Sequence, residues 1–425
     1  MNENLLKNLC KIKGGSGFPE IYQGSDSGDY PFIKVSDMNL GGNLRFIYIA
    51  NNYVNKSLVA ILGLTVFPPE TVVFAKVGAA IFLNKRRILT QETIIDNNMM
   101  GLIPIDIDPI FLFYFMQSID FEQYVQTGAL PSLNQEIVGE IKVPKYSVTE
   151  QHKIAKILTT VDNLIEKTQT LIDKYQSIKQ GMMHDLFTRG VDENGRLRPT
   201  FKEAPQLYKE SELGWIPKEW EAVELSKVVP KAEYGISVSL DDAEGVPVFR
   251  MNNLKDGEFV ISDIKKSNHI DARKLLLEPL DVLFNRTNSI EHVGRTSVWR
   301  EQLPQASFAS YLVRLIPDRS KLNPEYLNYW LNLPQTQITI RQFATPGVQQ
   351  VNINPTNLRR TIICIPLSLS EQSKIVEIVT KHRELINAES RYLYKLKEKK
   401  QGLMQDLLTG EVRVKVDEIK EETVS

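Results

Sequence analysis

Four cations stand at matched places in two stretches of this chain. Lys34 ends the apolar run Pro31-Phe32-Ile33, and Arg250 ends Pro247-Val248-Phe249. Lys76 follows Val73-Phe74-Ala75, and Arg286 follows Leu283-Phe284-Asn285. A cation at a strand end can reach a phosphate or a base edge, so matched pairs on two modules suit nucleic acid. Further candidates gather nearby: Lys85, Arg86 and Arg87 after Lys76, and Asn252, Asn285, Asn288, Arg295 and Arg300 around the second pair. For any one of them the plain alternative is a solvated surface charge. Gln349, Gln350, Asn352 and Asn354 follow Gly347, and Ser132, Asn134 and Gln135 follow Gly128. Such amides can read adenine, but they also cap turns.

Catalytic chemistry is missing from the same inspection. No glycine precedes a lysine, which excludes a Walker A phosphate loop, and there is no His-Glu-x-x-His. The five histidines show no ligand spacing, and Cys10 and Cys364 are too few for a disulfide framework or a cysteine metal site. Asn323-Pro324-Glu325-Tyr326 looks like a methyltransferase signature, but a capped helix start explains it, because Asp108-Pro109 opens the matched stretch. No catalytic residue and no metal ligand is therefore expected. The net charge of −1 argues against tight autonomous DNA binding. Without a long apolar run or a signal-like N-terminus, no membrane association and an intracellular, cytoplasmic location are expected.

The elements that carry the cations are repeated. Residues 150–188 match 371–409 at an offset of 221 with sixteen of thirty-nine pairs identical, far above the two or three of unrelated segments. Both copies read as helices of about 57 Å. In the first, Ile157, Val161, Leu164, Thr168, Leu171, Tyr175, Ile178 and Met182 alternate steps of four and three, a seam that wants a partner helix. In the second, Ile378, Leu385, Leu393 and Leu396 carry the corresponding apolar face, interrupted by His382 and Glu389. Each helix is the economical partner of the other. Gly181 and Gly402, near the helix ends, suggest either close helix approach or a special backbone angle. The globular stretches contain short strands such as Thr71 to Phe74, Asp281 to Phe284 and Tyr311 to Leu315, with capped helices after Pro109 and Pro324.

The expected division is a first domain over 1–149, a helix over 150–189 and an irregular linker over 190–217. A second domain over 218–370, a second helix over 371–410 and a C-terminal tail over 411–425, frayed from Glu418 onward, complete it. The fold class is α/β: two mixed α/β domains alternating with two long helices that pair as an antiparallel coiled coil, an internal duplication with pseudo-twofold symmetry.

This pattern resembles the specificity subunit of type I restriction–modification enzymes. Glu150-Gln151 and Glu371-Gln372 look like the family's opening to each repeated helix. Lys400 to Gly410, echoed by Lys179 to Thr188, looks like its helix-ending signature. Gly214-Trp215-Ile216-Pro217-Lys218-Glu219-Trp220 looks like the start of a second target-recognition domain; the first domain lacks such a tryptophan. The resemblance implies that each domain reads one half of a split double-stranded DNA target, with the helices as spacer. It implies two modification subunits docking on the chain, and restriction subunits joining them. S-adenosylmethionine, ATP and Mg would sit on those partners, with no cofactor on this chain. The rival classes are a coiled-coil scaffold that binds only protein, and a DNA-modifying enzyme with a disguised site.

Overall fold

The computed structural model describes residues 3–125 and 130–415, so Gly128 and the expected frayed end, 418–425, lie outside the described residues. Two units are present: unit 1 comprises Met1–Thr170 and Ser390–Ser425, and unit 2 comprises Leu171–Glu389. These divisions cut through both long helices, which the sequence reading treats as separate segments.

Unit 1 opens with β1 (Glu3–Leu5), one turn of α1 (Leu6–Leu9) and β2 (Cys10–Gly14). Its strands continue as β3 (Tyr30–Ile33), β4 (Phe46–Ile47), β5 (Asn52–Val54), β6 (Val66–Phe67), β7 (Val72–Ala75), β8 (Arg86–Leu89), β9 (Thr93–Ile95), β10 (Met99–Pro104) and β11 (Lys142–Pro144). They form a five-stranded sheet in the order β2-β10-β7-β8-β4 and a four-stranded sheet β5-β3-β9-β6, while β11 returns to pair with β1. Every residue of β7 is buried, which explains why it reads as an unbroken apolar run rather than an alternation. Helices α2 (Lys56–Leu62), α3 (Pro109–Ser118) and α4 (Gln135–Gly139) complete the domain. Asp108 caps α3 by accepting from the Phe111 N–H at 2.7 Å. Six consecutive residues of α3, Phe111 to Met116, are buried, as an all-round apolar helix requires.

Unit 2 repeats this plan. A hairpin of β12 (Tyr208–Ser211) and β13 (Gly214–Pro217) occupies the stretch expected to be irregular. Then follow β14 (Trp220–Glu224), β15 (Lys231–Tyr234), β16 (Val246–Phe249), the hairpin β17 (Leu254–Lys255) with β18 (Glu258–Phe259), β19 (Lys265–Ser267), β20 (Val282–Asn285) and β21 (Thr287–Asn288). The last strands are β22 (Thr296–Val298), β23 (Ser307–Phe308), β24 (Leu312–Ile316), β25 (Ala344–Pro346), β26 (Val351–Ile353) and β27 (Ile362–Pro366). Sheet β15-β24-β20-β22 matches β2-β10-β7-β8, and β19-β16-β23 matches β5-β3-β9. The match extends to direction, since β3 runs parallel to β9 and β16 to β23. Helices α6 (Ile270–Lys274), α7 (Pro324–Leu331), α8 (Pro334–Arg341) and α9 (Pro355–Leu358) lie in this unit. Tyr326 is fully buried with its hydroxyl on the Cys364 carbonyl, and Asn323 caps α7 by accepting from the Glu325 N–H at 2.9 Å.

The repeated helices are α5 (Val148–Thr188) and α10 (Leu369–Leu408). In unit 1 the Tyr146 hydroxyl, just ahead of α5, donates to the Leu407 carbonyl near the end of α10 at 2.7 Å. Further along, Asp162 pairs with Lys400 at 2.8 Å. In unit 2, Tyr175 meets His382 edge-on, and Leu186 and Phe187 share a core with Ile375 and Val379. Within each unit the paired segments therefore run antiparallel.

The burial pattern corrects the expected seam. Val161, Leu393 and Leu396 are buried, and Ile157, Leu171, Tyr175 and Ile378 are half-buried. Leu164 and Leu385 are each 39% exposed and Ile178 is 45% exposed, so these three lie at the edge of the paired face; Ile178 still lines a cavity with Met182, Leu186 and Ile378 of α10. The reason is a second partner. In unit 1, Ile154, Ala155 and Leu158 are buried against α3, which turns the buried arc of α5 away from the coiled-coil phase toward its own domain. Neither reading of Gly181 and Gly402 holds, because a methyl at either position would meet nothing within 4 Å and neither has positive φ.

The Glu-Gln pairs attach the domains to the helices. Gln151 accepts the Asp108 N–H, and Gln372 the Asn323 N–H, each at 2.8 Å, so each glutamine holds the capping residue of α3 or α7. Glu371 accepts from Trp220 Nε1 at 3.0 Å, the Val191 N–H at 3.1 Å and Arg198 Nη2 at 2.9 Å. Burial works against the Arg198 charge, yet Glu371 holds its guanidinium above the ordinary value. Gly190 (φ 63°) turns the chain here, and a side chain in its place would strike Glu371, Arg198 and Trp220.

Candidate nucleic-acid interface

The matched cations occupy matched backbone positions. Lys34 and Arg250 each precede a 3₁₀ turn, where their own N–H groups are held by Asp37 Oδ2 at 2.8 Å and Asn253 Oδ1 at 2.9 Å. Lys76 and Arg286 directly follow the central strands β7 and β20, and their N–H groups donate to the Asn98 and Tyr311 carbonyls at 2.8 and 3.0 Å. The strand that should present each cation does present it.

Unit 2 brings most of its candidates onto one face. Arg250, Met251 and exposed Asn252 line a groove of about 500 Å³ with Ile236 to Leu240 and Ala309 to Tyr311. Asn285 Nδ2 donates to the Met251 carbonyl at 3.2 Å, tying the end of β20 to that groove. The β25–β26 hairpin stands beside this groove, since β21 pairs with β26 through Thr287 to Asn352 and Asn288 to Val351. Gln350 Nε2 reaches Met251 Sδ at 3.9 Å, and Val348 at the hairpin tip is fully exposed. Arg286 lies between Tyr234 and the hairpin, its guanidinium carbon 5.1 Å from the Tyr234 ring centroid and Nη2 donating to Asn352 Oδ1 at 3.0 Å. Arg250 is tied to Asp263, with Nη2 2.9 Å from Oδ2. Half-buried Arg295 contributes its carbonyl to the Asn285 N–H at 2.8 Å. Arg300 is held by Glu258 and Glu325 at 2.8 and 2.7 Å, which makes it part of an internal ion network.

In unit 1, Lys34 donates to Gln23 Oε1 and Lys85 to Asn39 Oδ1, while Lys76 lies against Gly14. Two further candidates are corrected. Arg86 is fully buried, donates to Asn84 Oδ1 at 2.9 Å and to the Ile119 carbonyl at 2.6 Å, and stacks 3.9 Å from the Phe121 ring centroid. Burial pushes its guanidinium down to about 10, with Asp120 pulling the other way. Arg87 is also buried, on the Arg86 and Met38 carbonyls at 2.7 and 2.8 Å. Both arginines belong to β8, whose residues are all buried, so neither is available to DNA.

The amides divide in the same way. Asn134 and Asn354 cap α4 and α9 by accepting from Ile137 and Thr356 N–H groups at 2.7 and 2.8 Å, as turn chemistry would have them. Tyr234, Thr287 and the hairpin position of Asn352 were not legible as one cluster, because they come from three separate strands. Among the described residues no group of three or more His, Cys, Asp or Glu could hold a metal ion. No helix among them is long and apolar enough to cross a membrane.

With this geometry in view, the comparisons are consistent. The family model for the type I restriction modification DNA specificity domain matches residues 2–175 and 217–398. The chain is 26% identical over 401 residues to the type I restriction enzyme MjaVIII specificity subunit of Methanocaldococcus jannaschii, covering 91% of this chain and 87% of that one. Against the MjaIX specificity subunit of the same organism, identity is 22% over 428 residues, covering 96% and 93%. Among solved structures, the type I restriction-modification S subunit from M. genitalium superposes with a TM-score of 0.58 at 13% identity, covering 96% of each chain. A chain from a study of complex assembly and conformational transition of the type I R-M system gives a TM-score of 0.54 at 16% identity, covering 97% and 98%. These two likenesses speak for the fold.

Proposed function

This chain belongs to the type I restriction modification DNA specificity family, and on that premise we propose how it divides its work. The chain is the DNA specificity subunit of a type I restriction–modification complex. Each unit reads one half of a bipartite double-stranded target, and the paired helices set the gap. The observation that carries this is the duplication of one fold with unlike cations at its matched strand ends, Lys34 and Lys76 in unit 1 against Arg250 and Arg286 in unit 2. Equivalent frames with different readers suit two different half-sites. A near-neutral chain fits this role when partner subunits share the phosphate contacts that drive affinity.

Two modification subunits dock, one on each unit. The supporting feature is a strip that is both exposed and identical in the two copies: Lys174, Gly181 and Thr188 on α5, and Lys395 and Gly402 within α10 with Thr409 just past its end. Spaced by sevens, each trio lies along one helix face. Glycine in a helix costs about 1 kcal/mol against alanine, and nothing among the described residues calls for it here. Restriction subunits join the complex through these partners, in the cytoplasm. S-adenosylmethionine, ATP and Mg act on the partner subunits, and this chain is not itself catalytic. The test is transfer of labelled methyl groups to DNA by the purified chain, with and without modification subunits. Transfer only in their presence is expected; transfer by the chain alone would overturn the non-catalytic reading.

A further inference from the structure

We infer that Arg286 is the base-reading arginine of unit 2, that it takes a guanine edge, and that Asn352 is a positioning residue rather than a reader. The inference rests on the reading of unit 2 as a half-site reader. Asn352 has both ends of its amide engaged within the protein: Oδ1 accepts from Arg286 Nη2, and Nδ2 donates to Thr287 Oγ1, each at 3.0 Å. Bidentate recognition of adenine needs both ends of an amide, so this one is already committed. Arg286 is in the opposite state. Of the five N–H donors of its guanidinium, one on Nη2 is seen with a protein acceptor among the described residues; Nε is buried, which leaves the remaining Nη donors to carry any base contact.

Its orientation is nevertheless fixed. The guanidinium carbon lies 5.1 Å from the Tyr234 ring centroid, and the Asn352 oxygen anchors Nη2, so the fork is held at two points. A fork held in this way, with donors left over, matches the O6 and N7 acceptors of guanine in the major groove. Three other arginines of the unit are differently occupied. Arg250 is on Asp263, Arg300 on Glu258 and Glu325, and Arg314 on Asp281 and Glu233. The element that aims Arg286 also ends in the exposed Val348, so the same hairpin that orients the fork has a free tip beside it. At the matched position unit 1 carries Lys76, a point charge without a fork. The sharp guanine preference therefore belongs to the half-site read by unit 2.

The test uses the full chain assembled with its modification subunits and a pool of duplex DNA randomised across both half-sites. Parent protein is expected to select guanine at one position of the unit 2 half-site. Arg286→Ala and Arg286→Lys should lose that preference by about 5- to 150-fold. Asn352→Ala should weaken preference at the same position, whereas Asn352→Asp, which still offers Arg286 an oxygen, should retain it. Undisturbed selection at the unit 1 half-site shows in each case that the variant is folded and assembled. The assignment is overturned if Arg286→Ala keeps every preference, or if Asn352→Ala changes a different position, which would make Asn352 a reader in its own right. A parent complex that selects no sequence would overturn the specificity reading beneath it, and this assignment with it.

Discussion

Arg86 and Arg286 carry the same guanidinium beside similar apolar runs, and their surroundings separate them. Arg86 is enclosed by Asn84, the Ile119 carbonyl and the Phe121 ring, whereas half-buried Arg286 at a strand end has only an Nη2 donor on a protein acceptor, Asn352, among the described residues. Arg86→Ala should therefore destabilise the chain by about 2–4 kcal/mol, through lost packing and an orphaned carbonyl, while leaving the selected DNA sequence unchanged. Denaturant unfolding measures the first and duplex selection the second; a changed sequence with unchanged stability would return Arg86 to the interface. The duplicated pairs Lys34 with Arg250 and Lys76 with Arg286 were legible from sequence because a repeat fixes equivalent positions. Arg86 and Arg87 were not, because their burial depends on Ile119, Phe121, Met38 and Asn43, which lie far from them in the chain.

At the scale of elements, the repeated helices were the most legible part of the chain, since a long heptad-like pattern survives any local ambiguity. Their phase was less so: a single seam cannot describe a helix that packs on a neighbouring helix and on its own domain together. The glutamines that make the second attachment are within the repeat, but their bonds to the capping residues of α3 and α7 need the fold to be seen. Gln372 is fully buried and also donates to the Lys321 and Pro366 carbonyls, each at 2.8 Å; Gln151 donates to the Tyr146 carbonyl at 3.2 Å. Gln372→Ala should cost about 2–4 kcal/mol and Gln151→Ala about 1–2 kcal/mol in denaturant unfolding. Equal and negligible losses would mean that these bonds do not hold the domains. On the outward faces, Gly181→Arg and Gly402→Arg enter open space, so the isolated chain should be as stable as the parent or more so by up to about 1 kcal/mol. Each should nevertheless remove one of two bound modification subunits, and the double variant both, as read by mass measurement of the intact complex. Two subunits retained by the double variant would rule out that strip as the docking face.

For the molecule as a whole, each unit has its own core, its own attachment to the long helices and its own strand-end cations. The sequence revealed this doubling through its offset of 221, while the matching sheet orders and the hairpin that completes the face of unit 2 required the fold. The central claim is that the two units read two unlike half-sites independently. The most direct measurement is selection of bound duplexes from a pool randomised in sequence and in gap length, by the assembled complex carrying either the parent chain or Arg286→Ala. The account predicts two unlike half-sites at one preferred gap for the parent, and a change confined to one half-site for the variant. A single uninterrupted site, or a variant that alters both half-sites together, would contradict it.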